Sequence, residues 1–265
     1  MQDDRFKKII GDYYRKHKRE MPWRTDISPY AIFISEVMLQ QTQVARVLVK
    51  YSHFINTFPD FQSLATASTS VLLSVWQGMG YNRRALYLKA AAQIVCLKYN
   101  SALPEDSQLL DELPGIGFAT ACSIGAFAFN KPVVFIETNI RRVFIHHYFN
   151  DGIIVADDEI IPHIERTLDR RNPREWYWAL MDYGAYLATQ IDNPNRKSKH
   201  YTKQKKFEGS VREMRGGLLK LLLKKSYTVS ELKKMYKGDE RLFTALEQLE
   251  KEGFIVLEKK KYFIK

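Results

Sequence analysis

The sequence predicts a mostly α-helical body followed by a small winged-helix-like domain at the C-terminus. Three observations carry this. Apolar residues recur at helical spacing through about residue 190, and strand signals are scarce there. The turn Leu113-Pro114-Gly115-Ile116-Gly117 stands between two helical runs. Composition shifts after residue 195 to a basic stretch, then to amphipathic helices closed by a hairpin.

Taken in order, Ser28-Pro29 reads as a cap with proline at the first helical position, opening a helix over 28–49. Further helices are expected at 61–66, 70–77 and 83–98, with short connections. Residues 106–112 form a short helix capped by Asp106 or Ser107, and 118–129 a second one rich in alanine. Helices at 138–149, 157–168 and 173–189 complete the body. The stretch from Arg196 to Lys225 holds eleven Lys or Arg against Glu208 and Glu213, and 193–209 reads as a basic, extended segment packed on or bridging from the helical body. After it, 212–224 is an amphipathic helix, Tyr227-Thr228-Val229 a short strand, and Ser230 the cap of a second helix. A third helix at 239–252 sets Leu242, Phe243, Leu246 and Leu249 on one face. Gly253 ends it, and strands 254–258 and 262–264 flank a Lys259-Lys260-Lys261 turn. The domain boundaries are therefore expected at 1–195, 196–210 and 211–265.

The hairpin is the most informative stretch. Pro114 ends one helix, while Gly115 and Gly117 permit positive φ and a close backbone approach. The N–H groups that open the next helix then face a bare glycine turn, which suits a phosphate. An ordinary helix connection would use the same residues, so the rest of the chain must decide.

With 265 residues the chain can hold one large domain or two. Lys and Arg total 41 against 30 Asp and Glu, a formal net charge of +11. That balance, with a pI near 9.4, favours a polyanionic partner, either nucleic acid or an anionic membrane surface. No run approaches the ~18 apolar residues of a membrane span, and Met1-Gln2-Asp3-Asp4-Arg5 has no signal-peptide core. A cytoplasmic protein without a membrane partner is expected. Cys96 and Cys122 each lie in an apolar helical run and read as reduced core thiols. Two cysteines cannot supply the four thiolates an iron–sulfur cluster usually needs.

Several segments together resemble the helix-hairpin-helix DNA glycosylase superfamily, and within it the A/G-mismatch adenine glycosylase branch. They are Pro22-Trp23-Arg24, Pro29-Tyr30, Ser35-Glu36-Val37-Met38-Leu39-Gln40-Gln41-Thr42-Gln43-Val44, Gly78-Met79-Gly80-Tyr81, Leu113-Pro114-Gly115-Ile116-Gly117 and Asn139-Ile140-Arg141-Arg142-Val143. They span roughly residues 20 to 190 in family order and spacing. The resemblance implies a two-lobed fold and extrusion of a nucleotide from duplex DNA. It places Glu36 as the acid that protonates the purine, and Gln41 and Tyr81 as groups that enter or line the DNA stack. Arg24, Gly115, Ile116, Gly117, Ala119 and Thr120 complete the implied DNA-contacting set. The backbone carbonyls of Asp111, Leu113 and Ile116 would hold a structural sodium or potassium ion.

The residue types fit that chemistry. Breaking an N-glycosidic bond needs an acid for the leaving base and an anion for the oxocarbenium-like sugar. Glu36 lies at the edge of an apolar face, where desolvation would raise its pKa.

Two positions depart from the family. Where the superfamily carries an aspartate just after the hairpin, this chain has Glu137, followed by Thr138 instead of glycine. The added methylene moves the carboxylate by about 1.5 Å unless the backbone compensates, and misplacement of ~1 Å can cost on the order of a hundredfold in rate. Either the site is rebuilt around Glu137 with Asn139 steadying it, or the family's usual activity is altered. Ala119 stands where bifunctional relatives carry the lysine that forms a Schiff base with the sugar.

The family's cluster-binding cysteines are also replaced. Asn193-Pro194-Asn195-Arg196 and Ser198-Lys199-His200-Tyr201 stand there instead, and the nudix-like C-terminal module gives way to the winged-helix-like tail. The expectation is a monomeric, monofunctional glycosylase acting on double-stranded DNA with a mismatched or damaged base. Adenine opposite guanine or 8-oxoguanine is the expected substrate, without an iron–sulfur cofactor. The alternatives are a glycosylase for thymine or uracil opposite guanine, or a non-catalytic DNA-binding protein.

Overall fold

The computed structural model describes residues 1–149, 152–203 and 206–265, and helices dominate it. In chain order the elements begin with α1 (Asp3–His17), α2 (Pro22–Thr25), α3 (Pro29–Leu39), α4 (Val44–Thr57), α5 (Phe61–Thr66), α6 (Thr69–Trp76) and α7 (Arg83–Tyr99). Then come α8 (Ser107–Asp111), α9 (Phe118–Phe129), α10 (Thr138–Tyr148), α11 (Asp157–Thr167) and α12 (Pro173–Gln190). A 3-10 turn at Pro194–Lys197 precedes α13 (Val211–Leu222), β1 (Tyr227–Thr228), α14 (Val229–Met235), α15 (Arg241–Lys251), β2 (Ile255–Glu258) and β3 (Lys261–Ile264). Among the described residues no helix is long and apolar enough to cross a membrane. The chain divides into two compact units, 1–37 with 103–203, and 38–102 with 204–265.

The first unit is built on α10 and α12, with α1 laid against α12. Its core joins Phe6, Ile10, Ile32, Phe127, Phe144 and Tyr177, each of which removes apolar area from water worth ~1.5–3 kcal/mol. Helix α1, unanticipated from the sequence, is anchored by Phe6, whose ring lies 5.0 Å from Phe144 and 6.1 Å from Trp176. Acids at its start and bases at its end complement the helix dipole.

Around the hairpin the expected boundaries hold closely. Asp106 caps α8 by accepting the Gln108 N–H at 2.7 Å, and α9 ends on Asn130 in the left-handed conformation. Gly115 adopts a φ of 78°, which favours glycine, but Gly117 does not. Gly117 is extended, at φ −104°, and a Cβ there would meet nothing within 4 Å. Its expected positive φ is therefore corrected: it is the N-cap of α9 and leaves open space at the turn.

In the second unit, α5 packs on α7 and α4 on α6. The single helix expected over 28–49 is interrupted between Leu39 and Val44. No glycine or proline announces the break. Gln41 takes a φ of 52°, and the Arg84 guanidinium occupies the carbonyls of Met38 at 2.9 Å and Gln40 at 2.6 Å.

The C-terminal part of this unit carries an antiparallel sheet in the order β1-β3-β2 beside α13 and α15. Thr228, not Ser230, caps α14, in a capping box with Glu231. Phe243 is 51% exposed, and Ala245 instead joins Leu242, Leu246 and Leu249 in the buried face of α15. Lys259 and Lys260 form the hairpin turn, while Lys261 pairs with Glu258. Glu252, at the end of α15, joins Arg83 of α7 at 2.5 Å and Arg215 of α13 at 2.8 Å.

The basic segment expected to lie on the helical body or bridge from it begins packed on it. Pro194, Asn195 and Ser198 are buried, and Val155 pairs with Ser198 as an isolated bridge. The Asn195 side chain donates to the Thr138 carbonyl at 3.0 Å, seating this segment on the start of α10. Residues 204–205 of it lie outside the described residues.

Candidate active site

Helix α3 is buried almost all round: Ala31, Ile32, Phe33, Ile34, Ser35, Val37 and Met38 are each at most 2% exposed. A helix apolar on every face belongs in a core. Glu36 is the exception, an ionisable group carried into that environment by its neighbours. Its Oε2 accepts from the Ser123 hydroxyl of α9 at 2.6 Å. Burial pushes the Glu36 carboxyl up to about 7, the Ser123 hydrogen bond opposes that, and the nearby Glu137 charge adds to it. At neutral pH a large share of Glu36 is thus protonated, as a general acid requires.

Glu137 is the N-cap of α10. Its Oε1 accepts the backbone N–H groups of Asn139 and Ile140, each at 2.7 Å, and its Oε2 faces the Asn139 side-chain amide at 3.3 Å. Burial raises its pKa, and the two N–H groups with Arg142 and Arg141 pull the other way. The start of α10 thus grips the carboxylate directly. Arg142 in turn donates to Asn139 Oδ1 and to the Gly184 carbonyl, both at 2.8 Å, locking α10 to α12 behind the carboxylate.

At the hairpin, Gly115, Gly117, Phe118 and Ala119 are exposed, whereas Ile116 is 6% exposed and offers only its backbone. Thr120 is partly buried, and its carbonyl accepts the Ser123 hydroxyl at 2.9 Å. The Leu113 carbonyl accepts the Ile116 N–H at 3.0 Å and keeps a second lone pair.

In the second unit, Gln41 and Tyr81 are exposed, and both adopt left-handed backbones, at φ 52° and 46°. Such conformations are uncommon for non-glycine residues and cluster where function requires them. Arg84 holds both turns. Besides the Met38 and Gln40 carbonyls it donates to Thr42 Oγ1 at 2.8 Å and the Gly80 carbonyl at 3.1 Å. Its guanidinium also lies 5.6 Å from the Tyr81 ring centroid. Arg212 of α13 donates to the Tyr81 hydroxyl at 3.3 Å.

Residues 34–166 match the HhH-GPD superfamily of base excision DNA repair proteins. The chain belongs to this superfamily. The adenine DNA glycosylase of Mycobacterium tuberculosis is 31% identical over 248 residues, covering 84% of this chain and 79% of its own length. That of Buchnera aphidicola subsp. Baizongia pistaciae is 33% identical over 193 residues, covering 71% of this chain and 54% of its own. Among solved structures, a thermostable thymine-DNA glycosylase superposes with a TM-score of 0.64 at 23% identity, over 74% of this chain and 91% of its own. That likeness is one of fold.

Within this HhH-GPD frame the sequence-derived residues separate into two groups. Glu36, Glu137 and Asn139 come together in the first unit, and there the Arg24 guanidinium is engaged with Asp182. The Arg24 side chain is 8% exposed, and its two terminal nitrogens each sit 2.8 Å from Asp182, itself fully buried and also held by Arg19 at 2.6 Å. Sequence reasoning missed Ser123, Arg142, Gly184, Arg84 and Asp182. Arg142 stands inside a quoted motif and Asp182-Tyr183-Gly184 borders the expected cluster segment, but a lone serine in an alanine-rich helix gives no signal.

The chain holds two cysteines, half of the four thiolates an iron–sulfur cluster usually needs. Cys96 lies on α7 and Cys122 on α9, and the segment after α12 carries Pro194, Asn195 and Ser198 in buried positions.

Proposed function

We propose that this chain is a monofunctional adenine DNA glycosylase, acting as a monomer on mismatched double-stranded DNA. The observation that carries the reading is Glu36, a desolvated carboxyl with a pKa near 7, hydrogen-bonded to Ser123 and under the influence of a second carboxylate, Glu137. Two carboxylates with environments that separate their roles are what purine excision requires.

Glu36 delivers its proton to a ring nitrogen of the extruded adenine. The bond from the sugar C1′ to the base then breaks, and its electron pair leaves with the base. The negative charge of Glu137 stabilises the cationic sugar, Asn139 and the α10 N–H groups keep that carboxylate in place, and water adds to C1′ as it passes a proton to Glu137. Ala119, exposed in the first turn of α9, has no amine to form an imine, so the strand stays intact after base release. Gly115, Ile116, Gly117 and Thr120 present the start of α9 to a phosphate, and the Asp111, Leu113 and Ile116 carbonyls are hard oxygen donors suited to an alkali cation. Gln41 and Tyr81 enter the DNA stack from the turns that Arg84 fixes. No iron–sulfur cluster takes part, and the packed segment at Asn195 occupies its place in the chain.

A panel of duplexes tests the reading. Adenine opposite guanine or 8-oxoguanine should be excised, with strand breaks appearing only after alkali. Excision of thymine or uracil opposite guanine, with adenine left in place, would assign another lesion, and borohydride trapping of a covalent adduct would contradict the monofunctional mechanism.

A further inference from the structure

We propose that Ser123 is a positioning residue whose hydroxyl turns from the Thr120 carbonyl to Glu36 and stabilises the carboxylate as the proton leaves. This rests on the reading of Glu36 as the acid. The Ser123 Oγ lies 2.6 Å from Glu36 Oε2 and 2.9 Å from the Thr120 carbonyl oxygen, in a residue only 4% exposed. A hydroxyl has one proton to donate and lone pairs with which to accept, so it cannot donate along both contacts at once.

The two contacts therefore describe two states. When Glu36 is protonated, its proton sits on Oε1, available to the base, and the Ser123 hydroxyl proton points at the Thr120 carbonyl, a better acceptor than a neutral carboxyl. When Glu36 has given its proton to the base, the hydroxyl turns and donates to Glu36 Oε2. Ser123 keeps its proton throughout, so the switch is a rotation about the Cβ–Oγ bond. No partner atom has to move, which suits a donor placed where charge develops.

The other charged groups that bear on Glu36 act through space. Glu137 at the start of α10 opposes the carboxylate, and Arg24 on α2 favours it. Ser123 supplies the short-range counterpart: its hydrogen bond lowers the Glu36 pKa against the upward push of burial.

Ser123→Ala removes one oxygen from an alanine-rich helix and tests this directly. Single-turnover adenine release is measured from pH 5 to 9, beside duplex affinity, thermal unfolding and a Glu36→Gln control. The expected result is a rate lower by roughly 10- to 100-fold below neutral pH, with affinity within about twofold of wild type and unfolding unchanged. The basic limb of the pH profile should also move to higher pH, because the ionised form has lost its donor. A wild-type rate in Ser123→Ala, or a slower rate with an unmoved basic limb, would overturn the inference. If Glu36→Gln is inactive in that case, the acid assignment survives and only the role of Ser123 is lost. A fully active Glu36→Gln removes both.

Discussion

Gly184 of α12 and Asn139 of α10 approach so closely that no side chain fits between them. A Cβ on Gly184 would lie 2.6 Å from the Asn139 carbonyl oxygen and 2.7 Å from its Cβ. The contact is backbone against backbone, so it cannot be relieved by turning a flexible chain. It brings the Gly184 carbonyl within reach of Arg142, which also holds the Asn139 amide oxygen. The helix that carries Glu137 is thereby registered against α12.

Gly184→Ala is expected to push α10 away and misplace Glu137. Overpacking of this kind costs ~1–3 kcal/mol of stability, and a displacement near 1 Å costs on the order of a hundredfold in rate. Single-turnover excision measured well below the variant's melting temperature checks this. Wild-type excision would show that the two helices can part without consequence.

Glu137→Gln keeps shape and one acceptor oxygen but removes the charge. Excision should fall by two or more orders of magnitude, the general range for one such group, while duplex affinity changes little. Glu137→Asp is expected to lose activity as well. The Asn139 and Ile140 N–H groups hold the longer side chain at 2.7 Å, and the shorter one cannot keep those bonds with its carboxylate in the same place. Aspartate equal to or faster than glutamate would mean that the site was never rebuilt around Glu137.

Arg24→Ala should act on stability. It strips two hydrogen bonds from a carboxylate that is fully buried, a loss of about 3 kcal/mol with Arg19 still in place. Burial pushes the Asp182 pKa up, and the Arg24 and Arg19 contacts outweigh it, leaving the carboxyl below its usual value. A depressed carboxylate contributes stability above its unfolded pKa and loses it as pH falls through the folded one. The difference in melting temperature between wild type and Arg24→Ala should therefore shrink in acid. A variant that melts normally but binds DNA poorly would show that Arg24 serves the duplex and not the fold.

Arg84→Lys replaces a planar fork that reaches two turns with a single point charge. Losing bonds to the Gln40 and Gly80 carbonyls frees the turns that bear Gln41 and Tyr81. At ~1–3 kcal/mol for unmet buried groups, affinity for a mismatched duplex should drop about tenfold or more. Faster proteolysis at residues 40–43 and 78–81 should accompany it. Unchanged affinity and cleavage would show that the turns hold themselves.

Much of this was legible in the sequence where local chemistry decides the backbone. The hairpin and α9 are set by Pro114, Gly115 and an alanine-rich run, and α9 has the boundaries its composition implies. Helix α1 was not legible, because only Phe6 and Ile10 are buried along a strongly charged segment. The break after Leu39 depends on Arg84, more than forty residues away in the chain. The Asp182 partner of Arg24 was hidden for the same reason: it is 158 residues distant, and a motif shows that a guanidinium is present without showing what it binds. Glu137 was identified by position, but its role as the cap of α10 needed the structure.

The most direct test of the account is single-turnover release of adenine from a duplex carrying it opposite 8-oxoguanine, followed across pH in wild type and Glu36→Gln. With Glu36 as an acid of pKa near 7, the wild-type rate should hold in mild acid and fall as pH rises through neutrality. Glu36→Gln should be slower by ~100-fold or more in mild acid, the upper range for losing a general acid, with the gap narrowing as wild-type Glu36 loses its proton. Release from Glu36→Gln at the wild-type rate, or no adenine release by wild type at any pH, would contradict it.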